Sequence, residues 1–352
     1  MQAFLRNSIA AILLVGQLIA AGGAQAGVAL ATDAPIPTSA APTTRLVIGD
    51  PTTEKALILS GLIDKLPFKV EWANISGGPL TIEAFRAGAL DVGSVADIPP
   101  IHATWTGVPV KVVAARFRQD PVAHPIYELG IAPGVSVKTL ADLKGKRIAY
   151  SPGQAQGALV LRALQKAELS SKDVDLVELP SSTGDVYANA LGGKLVDVAP
   201  LGGAFIKRYL ANYGRDGGTT IAHGLRDDPG YLYVPAAVLA DPNKAAAIAI
   251  YVGYWARALA WVDAHPKEWA AGYYVADQGL SAEDAQYLID QSGNSDVPGD
   301  WTPVIERQQQ TIDLLAKETG RPVLKAEDLF DRRFEHIGGT AFAASPATAK
   351  TE

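Results

Sequence analysis

The sequence predicts an α/β protein of two lobes on mostly parallel sheets, with a hinge and a ligand cleft between them. Three observations predict it. Short apolar runs alternate with amphipathic helical runs at the spacing of βαβ units. This pattern starts afresh near residue 125. Near residue 230 another strand, followed by long helices, returns the chain to its first half. One lobe is therefore expected from residues 45–124 and 230–338, and the other from 125–229. Two crossings between lobes make a hinge over an interlobe cleft.

Each element follows from local pattern. Residues 1–26 read as a secretory signal: Arg6 is the positive start, an apolar stretch runs from Ile9 to Ala21, and Ala24-Gln25-Ala26 is a small-x-small cleavage site. That stretch is too short to span a bilayer. Cleavage removes one Arg and no acid, taking the net charge from −6 to −7. Residues 27–44 are rich in Ala, Pro and Thr and read as a disordered leader. Residues 339–352 read as a disordered tail. In the first lobe, strands are expected at 45–49, 68–73, 90–95 and 110–115, with helices at 53–66, 80–87 and 97–105. Gly88 is the C-terminal stop of the second helix. In the second lobe, strands are expected at 126–132, 147–150, 174–179 and 195–199, with helices at 155–167, 185–191 and onward through 209. After a strand at 231–239, Asp241-Pro242 supplies an N-cap and first-turn proline for a long helix. Its apolar residues Ile248, Val252, Trp255, Leu259 and Val262 step by 4, 3, 4 and 3, the spacing of one helical face. Arg257 at the middle of the apolar stretch 245–262, together with this clear stripe, argues for a packed core helix and not a membrane span. Helices are expected near 266–277, 281–291 and 303–318.

Composition excludes several chemistries. The chain has no cysteine, so it has no disulfide, thiolate metal site, cysteine nucleophile or lipid-anchored cysteine. Its acidic balance and scattered basic residues argue against nucleic acid as a partner. His102, His124, His223, His265 and His336 show no zinc-binding spacing. No nucleophile elbow, phosphate loop or dinucleotide fingerprint is present.

Residues 76–100 read SGGPLTIEAFRAGALDVGSVADIPP. Gly77 and Gly78 allow positive φ and close backbone approach. Pro79 suits a helix first turn and leaves the amides of Leu80 and Thr81 free at the positive end of the dipole. Such an end attracts anions, while an ordinary strand-to-helix turn explains the same residues. Similar breaks occur at Thr52-Thr53, at Asp97-Ile98-Pro99, at Ser151 to Gln154, and at Ser181 to Gly184. All follow predicted strands, on the sheet edge where ligands bind. Pooled, they suit a small oxyanion held by hydroxyls and amides. Arg116 and Arg118 end the fourth strand. Either is suited to a forked contact with a sulfonate or carboxylate, and a hinge ion pair with Asp120 or Glu128 is the competing reading, favoured for Arg118. Trp72 and Trp105 are core residues or walls of the cleft.

These residues bring the chain to a known family. The 76–103 block resembles the glycine-glycine-proline block of aliphatic sulfonate-binding proteins of ABC importers. VKTLADLKGKRIAYSPGQAQGALVLRALQKAELSSKDVDLVEL looks like that family's second-lobe block, and PVIERQQQTIDLLAKETGRP is similar to its C-terminal helix. The resemblance implies a periplasmic binding protein of type II topology, with no metal and no cofactor. The resemblance carries the site over onto Ser76, Gly77, Gly78, Pro79, Asp97, Ile98, Pro99, Ser151, Gln154 and Gln156, and the turns and strand ends read above add Thr52, Thr53, Arg116 and Thr183. Its partners would be a small sulfonate-like anion and an inner-membrane permease, with the protein a soluble periplasmic monomer. One departure stands out. Where relatives read aromatic, Asp, Pro, aromatic, this chain has Gly202-Gly203-Ala204-Phe205. The missing acid and added room imply a ligand with a larger, uncharged tail. Two other functions compete: an exported hydrolase or lyase, using Ser151 or Thr183 with His102 or His124, and a ligand sensor on the same lobes. Desulfinases of similar sequence use a cysteine that this chain lacks.

Overall fold

The computed structural model describes residues 29–181 and 185–345. The expected signal sequence, Thr183 and the end of the expected tail lie outside the described residues. The first lobe begins with β1 (Arg45–Gly49), α1 (Pro51–Leu59), β2 (Lys69–Trp72), α2 (Gly78–Arg86), β3 (Val92–Ala96), α3 (Ile98–Trp105) and β4 (Val110–Arg118). The second contains β5 (Tyr127–Ile131), β6 (Arg147–Tyr150), α4 (Ala155–Lys166), β7 (Asp175–Glu178), α5 (Val186–Gly192), β8 (Val198–Gly202), α6 (Ala204–Tyr213) and β9 (Thr219–Ile221). The chain then returns through β10 (Gly230–Pro235), α7 (Pro242–Ala264), α8 (Pro266–Trp269), α9 (Ala282–Ser292), β11 (Ser295–Asp296), α10 (Thr302–Thr319) and α11 (Glu335–Ala343).

Two mixed sheets result, ordered β11-β4-β10-β3-β1-β2 and β7-β6-β8-β5-β9. Each departs from the expected parallel pattern at the strand by which the chain crosses into it from the other lobe, and the edge strand β11 also runs antiparallel to β4. β10 runs antiparallel to β3 and β4, with Gly230 opposite Ala96 and Arg116. β5 runs antiparallel to β8 and β9, with Tyr127 opposite Gly202. A strand arriving across the hinge reaches the sheet at its carboxyl edge, so it has to run backwards between its neighbours. The strand expected to reach residue 239 ends at Pro235, which has no amide for the ladder. The chain continues as the 3-10 turn Ala236–Ala240.

The first core packs Leu46, Ile48, Val92, Val112 and Leu232 against Ile248, Tyr251, Val252 and Trp255 of α7, all buried. Among the described residues α7 is the one helix long and apolar enough to cross a membrane. Its buried face accounts for that apolarity. Ala158 and Leu161 of α4 belong to this same core, so the second lobe is packed against the first through α4.

Two expected disordered segments are ordered where described. In the leader, the Leu30 amide donates to the Ala240 carbonyl at 2.7 Å, and the Arg333 guanidinium donates to the carbonyls of Ala31 and Ala34 at 3.1 and 2.9 Å. Leu30, Ile36 and Ala40 pack on the core. Isolated apolar residues among prolines find a ready-made surface, which composition does not reveal. At the other end, α11 continues past residue 338 to Ala343 and packs along α7. A Cβ on Gly338 would stand 3.6 Å from Val252.

Candidate functional site

A cavity lies at the carboxyl edge of each sheet. The one in the first lobe measures about 600 Å³. It is lined by the β1–α1 turn (Gly49 to Thr52), Trp72, Asn74, Ser76 and Ser94, and by Tyr273, Asp277 and Gln278 from the return segment. The one in the second lobe measures about 240 Å³. It is lined by Tyr127, Gln156, Ser181, Asp185, Tyr187, Gly202, Gly203 and Phe205, among others.

The lobes meet where the two amide-bearing turns face each other. Gly77 has φ 80°, a conformation glycine adopts freely. Gly78 is buried, and a Cβ there would lie 2.7 Å from the Pro99 ring and 3.2 Å from the Gly153 carbonyl oxygen of the other lobe. The free amides at this helix start differ from expectation. The Thr81 amide is taken by the Gly77 carbonyl at 3.2 Å, because Gly77 is the N-cap and its carbonyl accepts the first intrahelical bond. Gly78 and Leu80 remain as the open donors of α2. Ser76, exposed at the cavity, makes no side-chain hydrogen bond among the described residues. Across the gap, Gln154 is the N-cap of α4 with no side-chain capping bond, and Gln156 enters the second-lobe cavity.

The other expected site residues have different surroundings. The Thr52 hydroxyl meets the Tyr273 hydroxyl at 3.2 Å on the cavity wall. Thr53 is buried, and its amide is capped by Asp50 at 3.3 Å. Asp50 also accepts from the Tyr251 hydroxyl, and burial raises its pKa. Asp97 is not a cavity residue. Its carboxylate is buried in an ion pair with Arg162 of α4 at 2.7 Å and accepts from Thr311 at 3.1 Å, while its carbonyl accepts from Gln308 at 2.8 Å. A carboxylate this deep needs its charge matched, and a guanidinium from the facing lobe matches it. Ile98 is 1% exposed and is core; Pro99 is buried under Gly78. Ser151 is buried at the end of β6. Arg116 is exposed over Gly230 and lines neither cavity, and its side chain has no ion pair or hydrogen bond among the described residues. Arg118 pairs with neither Asp120 nor Glu128. It donates to the carbonyls of His124 and Gln291, and its amide donates to Asp228 at 2.7 Å. Trp72 walls the first cavity and packs edge-on against Tyr251. Trp105 donates to the Pro322 carbonyl at 2.9 Å.

The Gly202-Gly203 stretch leaves less room than expected. A Cβ on Gly202 would stand 2.9 Å from the Tyr127 ring, which occupies that side of the cavity. The acid is not lost either, since Asp185 lines the same cavity. The cavity thus has neither the added room nor the missing acid on which an uncharged tail rested. Sequence reasoning missed Tyr127 and Asp185, and it missed Tyr187, whose phenol pKa burial pushes up to about 12. It also missed Tyr273, Asp277 and Gln278. The buried Ser181 hydroxyl, beside Tyr187, forms no aligned hydrogen bond among the described residues.

Residues 69–203 match the family described as NMT1/THI5 like. Over 106 residues the chain is 37% identical to a putative aliphatic sulfonates-binding protein of Escherichia coli (strain K12), covering 30% of this chain and 32% of the relative. The chain thus spans about a third of that relative's length. Among solved structures, the periplasmic aliphatic sulphonate binding protein SsuA from Escherichia coli superposes with a TM-score of 0.66 at 23% identity, over 82% of this chain and 92% of that one. The alkanesulfonate-binding protein SsuA from Xanthomonas axonopodis pv. citri, bound to MOPS, gives 0.65 at 22% identity, over 82% and 98%. A desulfurization enzyme also superposes, with a TM-score of 0.56 at 15% identity, over 84% and 99%. The fold is that of the periplasmic binding proteins.

Proposed function

We propose that this protein is the solute-binding component of an ABC importer. It captures a sulfonate or related small organic oxyanion by lobe closure in the periplasm and delivers it, as a soluble monomer, to a permease. The observation that carries this reading is the meeting of the 76–79 turn with the Ser151–Gln154 turn, each opening a helix toward the other lobe. Open amides at a helix N-terminus stabilise an anion by about 0.3–1 kcal/mol each, up to about 2 when partly buried. Ser76, Gly77, Gly78, Thr52, Gln154 and Gln156 form the anion's cradle. In this reading Arg116 approaches the anion on closure. Asp185 and Asp277 flank the cavities, so the tail is one that offers hydrogen-bond donors. The alkanesulfonate-binding and sulphonate-binding relatives support the ligand class.

An enzymatic reading finds no catalytic pair. No hydrogen bond among the described residues joins Ser151 to His102 or His124. Burial and the nearby Arg321 lower the His102 pKa to about 4, which makes it a poor general base. The desulfurization-enzyme neighbour keeps hydrolysis as an outcome of the test. Isothermal titration with alkanesulfonates, taurine, sulfate and nitrate tests the proposal, with sulfite release assayed in parallel. Saturable sulfonate binding without turnover supports it. Turnover, or no binding to any of the anions, overturns it.

A further inference from the structure

A third cavity, of about 290 Å³, is lined at the returning crossing by residues that line neither of the other two. Its cations come from three parts of the chain: Arg162 and Lys166 from α4 of the second lobe, Arg226 from the returning crossing, and Arg307 from α10 of the first lobe. Gln165 and Gln310 add side-chain amides to the rim. Two of the four cations are matched: Arg162 by Asp97 at 2.7 Å and Arg226 by Asp228 at 2.8 Å. The other two are not. Lys166 donates only to the carbonyls of Gly224 at 2.7 Å and His223 at 3.3 Å. The Arg307 side chain has no ion pair or hydrogen bond among the described residues. It rests over the Phe117 ring at 5.5 Å, and the Arg226 guanidinium lies at 5.3 Å from the same ring. Asp296 and Asp300 line the adjoining groove on the far side of these two arginines, and neither forms an ion pair with them. Two of the cavity's four cations, Lys166 and Arg307, thus have no carboxylate within ion-pair distance among the described residues. Burial, and after it the neighbouring Arg226, lower the Arg307 pKa, while Asp228 raises it; the guanidinium stays charged.

We propose that this hinge cavity is a second anion site, which takes a tetrahedral dianion of the sulfate or phosphate type between Lys166 and Arg307. The charge of such an ion matches the two cations that have no carboxylate partner. Its donors belong to both lobes and to the crossing, so a bound dianion favours the lobe arrangement described here. By linkage, it shifts the affinity of the cleft for its own ligand, and the cleft ligand shifts the affinity of the hinge site by the same factor. The inference is independent of what the cleft binds.

The test is titration of sodium sulfate and of sodium phosphate into the mature protein, against sodium chloride at matched ionic strength. Saturable binding of one or both dianions is expected. Arg307→Gln and Lys166→Gln should each weaken it by about tenfold or more, the worth of a charge-assisted hydrogen bond. Gln156→Ala, in the cleft, should leave it unchanged. Without added anion, Arg307→Gln should melt no lower than the wild type, because it removes a repelled cation. This also shows that a loss of binding is not a loss of folding. A crystal soaked in selenate gives a readout free of variants, with the anomalous peak expected between Lys166 and Arg307. No dianion binding, loss in Gln156→Ala but not in Arg307→Gln, or a selenate peak only in the cleft would each overturn the proposal.

Discussion

Replacing Asp97 by Asn keeps the side chain's shape and removes its charge. Arg162 then loses its one ion-pair partner among the described residues, in an interface where its side chain is 18% exposed and that of Asp97 was 3% exposed. Removing one member of a buried pair costs about 3–5 kcal/mol. Arg162 keeps some solvent and Asn keeps a bond to Thr311, so the lower end applies, about 3 kcal/mol. At about 2 °C per kcal/mol for a chain larger than a small domain, the melting temperature should fall by about 6 °C. The double variant with Arg162→Met, which removes both charges, should recover part of that loss, because a pair replaced by apolar groups leaves no orphan. The assay is thermal unfolding by circular dichroism, paired with ligand titration. Affinity for an alkanesulfonate should change by less than about twofold once the protein is folded. If Asp97→Asn melts with the wild type but loses ligand affinity, the carboxylate is a ligand contact and the interlobe assignment is wrong.

Three other outcomes follow from the geometry. Gly202→Ala pushes a methyl group into the Tyr127 ring at 2.9 Å. It should cost about 1–3 kcal/mol by overpacking and weaken ligand binding, with Tyr127→Ala restoring the stability; a neutral Gly202→Ala would show the ring to be mobile. His102 has a folded-state pKa of about 4, against about 6.5 in the unfolded chain. The unfolded state therefore binds more protons between these values, and stability contributed by neutral His102 is lost as pH falls through that window. The difference in melting temperature between wild type and His102→Asn should narrow or reverse from pH 7 to pH 4; a constant difference contradicts the burial argument. Gln156→Ala should weaken cleft binding by about tenfold through the loss of a hydrogen bond to a charged group, measured by titration. An unchanged affinity would remove Gln156 from the cradle.

Much of the fold was legible because its strands are short apolar runs bounded by Gly, Pro and Asp, and these signals are local. What was not legible depends on contacts remote in sequence. The DIPP break reads like a ligand loop, yet Asp97 answers to Arg162, 65 residues away, and to Thr311, 214 residues away. Nothing near Asp97 announces either partner. The two glycines at 202–203 read as empty space. Tyr127 fills it because the antiparallel insertion of β5 sets that ring opposite Gly202, and the parallel pattern expected from the sequence has no such pairing. Tyr273, Asp277 and Gln278 reach the first cavity only because the return segment folds back over α1, where Lys55 pairs with Asp277 at 3.2 Å. The 76–79 turn was identified from Gly and Pro alone, since positive φ at Gly77 is a backbone requirement visible in residue type.

The most direct measurement is a crystal structure of the protein with an alkanesulfonate. The sulfonate oxygens should lie within hydrogen-bond distance of the Gly78 or Leu80 amide from one lobe and of Gln154 or Gln156 from the other, with Asp97 still bound to Arg162. A sulfonate seated in the hinge cavity, or in either lobe's cavity without contact to the other lobe, would contradict this account.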